Sequence, residues 1–394
     1  TFVLGANKFS GSKGQYKGTP YNANYNNATY GATTFNYDLR LILDSSFTGK
    51  DLLRTTLRAD NFNSGNNAYG EGGGLTFLEV ATNAPTQDNV VEVNRLFYNF
   101  PVGKNFSVTA GARVRIDDAG MLGMWPSVYP ADTVLDFFTY AGAPGAYDLD
   151  GLGAGFGATY NNVLGFDGVT LSSNYVSING DEGTDGLMTD TSSSVSVTQL
   201  GYTGGKFPII GGSAWGAAAA YTYSQNNTLF ISTPLAQEFG GVGSTNSFGL
   251  SGYWVPENTG WIPSVSTGWG TSSYENAAYN GVAYSTNTNV KAQSWYVGLQ
   301  WPDTFVKGND LGMAVGQAPF ITDTGYGASA PATPMDSNYM WEWWYKFQVT
   351  DNITVTPALY WIQNYDGQLG KLSINGQTTD SNVFGGLLKT TFKF

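Results

Sequence analysis

The stretch LRLILDSSFTGKDLLRTTLRAD, residues 39–60, decides the fold. Two alternating segments meet at a Thr-Gly-Lys turn, residues 48–50, and three arginines stand where a strand would bury half of its side chains. In the first segment, residues 33–47, Phe35, Tyr37, Leu39, Leu41 and Leu43 share one face, and Asn36, Asp38, Arg40 and Asp44 the other. In the second, residues 51–62, Leu53, Thr55, Leu57 and Ala59 oppose Arg54, Thr56, Arg58 and Asp60. A soluble strand hides its greasy face in a core and usually runs to about 5–6 residues. Here the period of two persists for the roughly 9–11 residues that a tilted strand needs to cross a bilayer.

The alternation recurs along the chain. Residues 105–117 set Phe106, Val108, Ala110, Ala112, Val114 and Ile116 against Ser107, Thr109, Arg113, Arg115 and Asp117. Tyr339, Trp341, Trp343, Tyr345 and Phe347 alternate with Met340, Glu342, Trp344 and Lys346, an aromatic face suited to lipid and its interfaces. Short turns fall at residues 48–50, 101–105, 161–168, 256–260, 302–309 and 350–352. Long polar loops lie between them, at 65–88, 118–150, 180–193, 226–244, 275–289, 321–337 and 365–381. Short turns on one side and long loops on the other predict an all-β, transmembrane antiparallel barrel of about 16 strands, within a range of roughly 14 to 18. The whole chain, residues 1–394, then forms one domain with periplasmic turns and extracellular loops. Residues 75–80 read equally as a strand or as part of a loop hairpin. A soluble propeller or solenoid calls for a repeat of roughly 40–50 residues, and none is present.

Composition narrows the function. Charged residues make up 12% of the chain, where about 25% is usual, and glycine numbers 52. There is no cysteine and no histidine, so disulfides, thiol chemistry, the usual general base and the commonest metal ligand are missing. No cofactor is expected, and an enzyme is the weakest reading. A net charge of −12 argues against nucleic acid as a partner. The longest apolar run, residues 215–221, is far too short for a membrane helix. The chain opens on TFVLGANKF with no signal peptide, as expected of a processed or truncated form of an exported protein.

All six arginines lie between Arg40 and Arg115. On the assigned phases Arg40, Arg54, Arg58, Arg113 and Arg115 share the face away from lipid, and Arg95 joins them if Leu96, Tyr98 and Phe100 face out. Magnitude supports this orientation, because an arginine facing lipid at the midplane costs roughly 2–4 kcal/mol. The counter-charge is expected from the loop of residues 118–150, whose aspartates include Asp118, Asp132 and Asp136, with Asp117 just before it. That loop is unusually apolar, carrying Met121, Met124, Trp125, Phe137 and Phe138, and is expected to fold into the barrel as a constriction. The following GLGAGFGATY turns Gly151, Gly153, Gly155 and Gly157 inward and leaves room for it. Two alternatives stay open: a salt-bridge network that merely braces the wall, and a loop that caps the barrel or latches a trimer.

The runs LDSSFTGKDLLRTTLRADNF, VNRLFYNFPVGKNFSVTAGARV and GLGAGFGATYNNV, with the terminal TFKF, resemble the cyanobacterial outer-membrane porins related to carbohydrate-selective porins. The resemblance implies a homotrimer in the lipid bilayer of the outer membrane, passing inorganic ions and small solutes through a narrow pore. Members of that family also carry an S-layer-homology domain; it is not seen in this sequence, so cell-wall tethering would need a missing N-terminal domain. The leading expectation is a general diffusion porin with weak selectivity, in which neutralising Arg58 and Arg113 shifts the reversal potential toward cations. The alternative is a channel selective for a sugar or iron complex, with Tyr296, Trp344 and Tyr360 as stacking candidates in the lumen. A third class is a closed barrel that anchors the envelope.

Overall fold

Sixteen strands close into a single antiparallel barrel. The first eight are β1 (Phe2–Gly11), β2 (Thr34–Ser45), β3 (Leu52–Asp60), β4 (Glu92–Val102), β5 (Phe106–Arg115), β6 (Leu152–Asn161), β7 (Val169–Ser177) and β8 (Ser194–Gly204). The second eight are β9 (Ala214–Gln225), β10 (Ser244–Val255), β11 (Ser264–Glu275), β12 (Val290–Trp301), β13 (Asp310–Asp323), β14 (Tyr339–Thr350), β15 (Ile353–Gln363) and β16 (Ser381–Phe392). This computed structural model describes all residues except 17, 64–65, 131–133, 149–150, 241–242, 259, 276–277, 280–281, 284–289, 325–333 and 372–379. Each strand pairs with its sequence neighbours, and β1 closes the ring by pairing Val3 with Lys389 of β16 and Val3 with Asn36 of β2. Pairing around the ring is what allows strands to span hydrocarbon, although β2 meets β1 over Thr34–Tyr37 alone.

The apolar phase faces out. Phe35 is 67% exposed and Leu39 53%, while the intervening Asn36 and Asp38 are buried. Large apolar side chains also crown the short turns, among them Phe47, Leu164, Phe166, Trp261 and Phe305, with Phe394 at the chain end. Ring pairs such as Phe106 on Tyr160, 4.4 Å between centroids, lie at the same level. An aromatic rim of this kind marks a membrane interface.

Three elements depart from the sequence reading. Residues 75–80 form no wall strand; they lie in tight helical turns at Glu71–Thr76 and Glu79–Ala81 inside the lumen. An eighth loop, between β1 and β2, holds a small hairpin (Lys13–Tyr16 with Thr19–Asn22) and a helix, α1 (Ala23–Tyr30). Asn22 caps α1 by accepting from Tyr25 N, and Asn27 fixes it to β1 through both main-chain groups of Phe9.

The third departure is a bulge in β5. Phe97 pairs with Gly111 but Leu96 with Arg113, and on the other side Gly155 pairs with Gly111 but Gly153 with Val114. One extra residue shifts the phase at Arg113 and Val114. Val114 and Ile116, expected to face lipid, are therefore 0% and 1% exposed. Arg113 instead stands opposite Leu96, an exposed residue of the outer face. The expectation that it shares the luminal face does not hold.

Candidate functional site: an arginine wall and two inward loops

Five of the predicted arginines come together on β2 to β5, each beside a carboxylate. Arg40 and Arg58 both reach Asp38, at 2.7 and 2.6 Å, and Arg58 also lies 3.5 Å from Asp60. Arg54 pairs with Asp44 at 2.7 Å and Arg95 with Asp118 at 2.8 Å. Arg115 grips Asp117 through two N–H groups, at the point where the chain turns inward and Asp118 N donates to Arg115 O. Arg113 forms no ion pair among the described residues, and its Nε is buried without a partner. Asp132 lies outside the described residues.

The charges are thus paired side by side rather than set across a gap. Guanidinium groups on neighbouring strands repel strongly in a poorly screened interior, and a carboxylate between them removes that repulsion. Burial pushes the Asp117 carboxyl up, but the Arg115 guanidinium beside it outweighs this and holds it below the ordinary range. For Asp118 burial wins over Arg95, and its pKa rises. Asp136, expected to face the arginines, borders a cavity with Arg115. It is fully buried, accepting from Thr82 Oγ1 at 2.6 Å, with its other oxygen unpartnered. Burial pushes it up to about 7.

The loop between β5 and β6 runs along the inner wall. Asn174 donates to the carbonyls of Ile116 and Met121, Gln199 to that of Met124, and Thr222 to that of Ala146. Ser251 and Ser294 bind the carbonyls of Ala141 and Gly142. Glu342 on β14 accepts from Tyr129 Oη at 2.6 Å and Leu135 N at 2.9 Å. Wall glycines make the space: a Cβ at Gly157 would strike Met121, one at Gly268 the Ala141 carbonyl, and one at Gly298 the Tyr129 ring. A second loop, between β3 and β4, is folded inward as well. It pairs with the first at Leu78 and Leu135.

Three luminal cavities border the inward loops among the described residues. One of about 420 Å³ at the turn side is lined by Arg40, Glu79, Val80 and Lys389. One of about 220 Å³ between the loops is lined by Glu79, Arg115, Asp117, Trp125 and Asp136. One of about 470 Å³ at the loop side is lined by Tyr21, Tyr25, Tyr30, Phe230 and Tyr365, with Gly74 and Leu75.

A charged, loop-filled passage inside a lipid-facing barrel is the architecture of a porin. The family described as "Carbohydrate-selective porin, OprB family" matches residues 6–394. The chain belongs to that family. Two curated relatives, both uncharacterised proteins, are each 28% identical over 92% of this chain: one from Synechocystis sp. and one from Nostoc sp.. The chain covers 64% of the first and 61% of the second, so it spans about three fifths of their length. Among solved structures, OprB of Pseudomonas putida at high pH superposes with a TM-score of 0.54 at 12% identity, covering 99% of this chain and 94% of that one. The likeness is one of fold. Family and barrel together place this porin in the outer membrane.

Within this porin the expected stacking track is missing. Tyr296 and Tyr360 are 0% exposed and Trp344 2%, because the inward loops cover them. Trp344 and Tyr296 bond instead to Tyr129 and Ser127 of the loop. The aromatic cavity at the loop side, and the inward fold of the loop at residues 65–88, are not read from the sequence. The signal was there in Leu75, Phe77, Leu78 and Val80, all buried.

Proposed function

We propose that this porin is a passive channel that admits inorganic ions and small hydrophilic solutes of either charge, working as a homotrimer. The observation that carries this reading is the pairing of Arg40, Arg54, Arg58, Arg95 and Arg115 with five carboxylates, Asp38, Asp44, Asp60, Asp117 and Asp118. A passage bounded by neutralised pairs carries little net field, so selectivity is weak, while the two inward loops keep it narrow. The outward register of Arg113 supports a protomer contact at β5, since hydrocarbon alone is a costly neighbour for it. Reconstitution in planar bilayers tests the channel. The expected result is a linear current–voltage relation, a reversal potential near zero in a salt gradient, and a sharp size limit for neutral solutes. A barrel that passes no current would overturn it.

One observation favours a second reading, selective uptake of a sugar. The loop-side cavity of about 470 Å³ gathers four tyrosines and Phe230 with Asn26, Gln237 and Asp366, ring faces beside amide and carboxylate groups. Sugars bind such combinations of stacking and hydrogen bonding. Saturable block of the current by a mono- or disaccharide would favour this reading over general diffusion.

A further inference from the structure

We infer that the loop between β3 and β4 is a second jaw of the constriction, and that Arg58 sets the aperture by holding that jaw rather than by presenting charge. This rests on the channel reading above.

The side chain of Arg58 is 1% exposed, so no permeating ion meets it directly. Its donors are spent on main chain. Nη1 donates to Thr82 O at 2.6 Å and Asn83 O at 2.7 Å, and Nη2 to Val80 O at 2.6 Å. Nε is fixed by Asp38 at 2.6 Å, which orients the planar fork. Three carbonyls converging on one guanidinium define a bend that a single ammonium cannot reproduce. Arg40 adds a longer bond to Val80 O, and Asn94 one to Asn83 O.

The far edge of the jaw is fixed by the other loop. Glu79 N donates to Val134 O, Asp136 N to Phe77 O, and Thr82 Oγ1 to Asp136. Leu135 N in turn is held by Glu342 of β14. A continuous chain of bonds therefore crosses the lumen as a chord from β3 to β14. Residues of this jaw line all three luminal cavities: Gly74 and Leu75 the outer one, Glu79 and Thr82 the middle one, Glu79 and Val80 the inner one. Glu79 stands where the middle and inner cavities meet. A shift of this segment changes the passage along its whole length.

The test uses the full chain in planar bilayers and in liposomes with neutral sugars of graded size. Arg58→Lys keeps the charge and loses the fork; Arg58→Met loses both. Both variants are expected to raise single-channel conductance and the size limit, with the reversal potential held at its wild-type value. A disulfide then supplies the hold independently. Leu78 and Leu135 form a non-hydrogen-bonded antiparallel pair, a geometry with Cα atoms about 4.5 Å apart that a disulfide can bridge. The chain has no cysteine of its own. Leu78→Cys with Leu135→Cys in the Arg58→Lys background is expected to restore wild-type conductance when oxidised and to lose it again on reduction. Wild-type aperture in Arg58→Lys, or a reversal-potential shift in Arg58→Met without a change in size limit, would overturn the inference and give Arg58 a field role. If Arg58→Met fails to insert, Arg58→Lys and the disulfide pair still decide. A silent wild-type protein would sink the channel reading itself, a result distinct from a conducting wild type with unaltered variants.

Discussion

Arg58 and Arg113 carry the same charge and the same apparent alternation, yet they occupy different environments. Arg58 stays in phase with Asp38, Arg40 and Thr56, because β2 and β3 pair in unbroken register from Asp38–Asp60 to Ser45–Leu53. Arg113 leaves the phase of Thr109 and Gly111 at the bulge. Arg113→Gln is accordingly expected to leave the reversal potential unchanged and to weaken the oligomer on a semi-native gel. Arg40→Gln is the contrasting case. Its side chain is 37% exposed beside the turn-side cavity, so its loss removes a cation that permeating ions meet and moves the reversal potential toward cations. A shift in Arg113→Gln of the size seen in Arg40→Gln would restore Arg113 to the lumen. The phases of Arg40, Arg54 and Arg58 were legible because nothing interrupts their strands. The bulge was not, since Ala112 and Arg113 carry no glycine-, proline- or turn-like signal of their own, and an extra residue is defined only by the partner strands.

At the scale of elements, the loop between β5 and β6 announced itself through its apolar residues, and the wall glycines through their alternation. What the sequence could not disclose was the partner: buried Phe77, Leu78 and Val80 sit in a run too short to tell a strand from a docked loop. The docking of the two loops carries a pH dependence. Asp136 is buried between them and pushed up to about 7, against about 3.9 for a free carboxyl. A raised carboxyl binds its proton more tightly when docked. Docking is therefore favoured below the free value, weakens as pH rises between the two values, and levels off above the higher one. Limited proteolysis of the reconstituted protein should show the loops cut faster at pH 8 than at pH 5. In Asp136→Asn, which stays neutral, the difference should shrink. Equal cutting of the wild type at both values would show that Asp136 has no such coupling.

For the whole molecule the decisive relation is that apolar exposure has two meanings. Leu39 and Ile42 are each 53% exposed. Their registers separate them: Leu39 pairs with Ala59 on the outer face, Ile42 with Thr56 on the inner one. Leu39 therefore meets hydrocarbon and Ile42 meets water, although no measure of exposure distinguishes them. An arginine at the lipid midplane costs roughly 2–4 kcal/mol, a large part of a typical net stability of about 5–15 kcal/mol. Leu39→Arg is expected to lower the denaturant midpoint of the barrel in bilayers by a shift of that order. Ile42→Arg, three residues away, should leave the midpoint near the wild-type value and instead change the conductance, since it adds a cation beside Arg40 in the water-filled end of the lumen. Swapped outcomes at these two positions would mean that the barrel is turned the other way out, with its arginines against lipid. The same pair of substitutions also separates the two faces without any ligand, which makes it a test of the fold independent of what the passage carries.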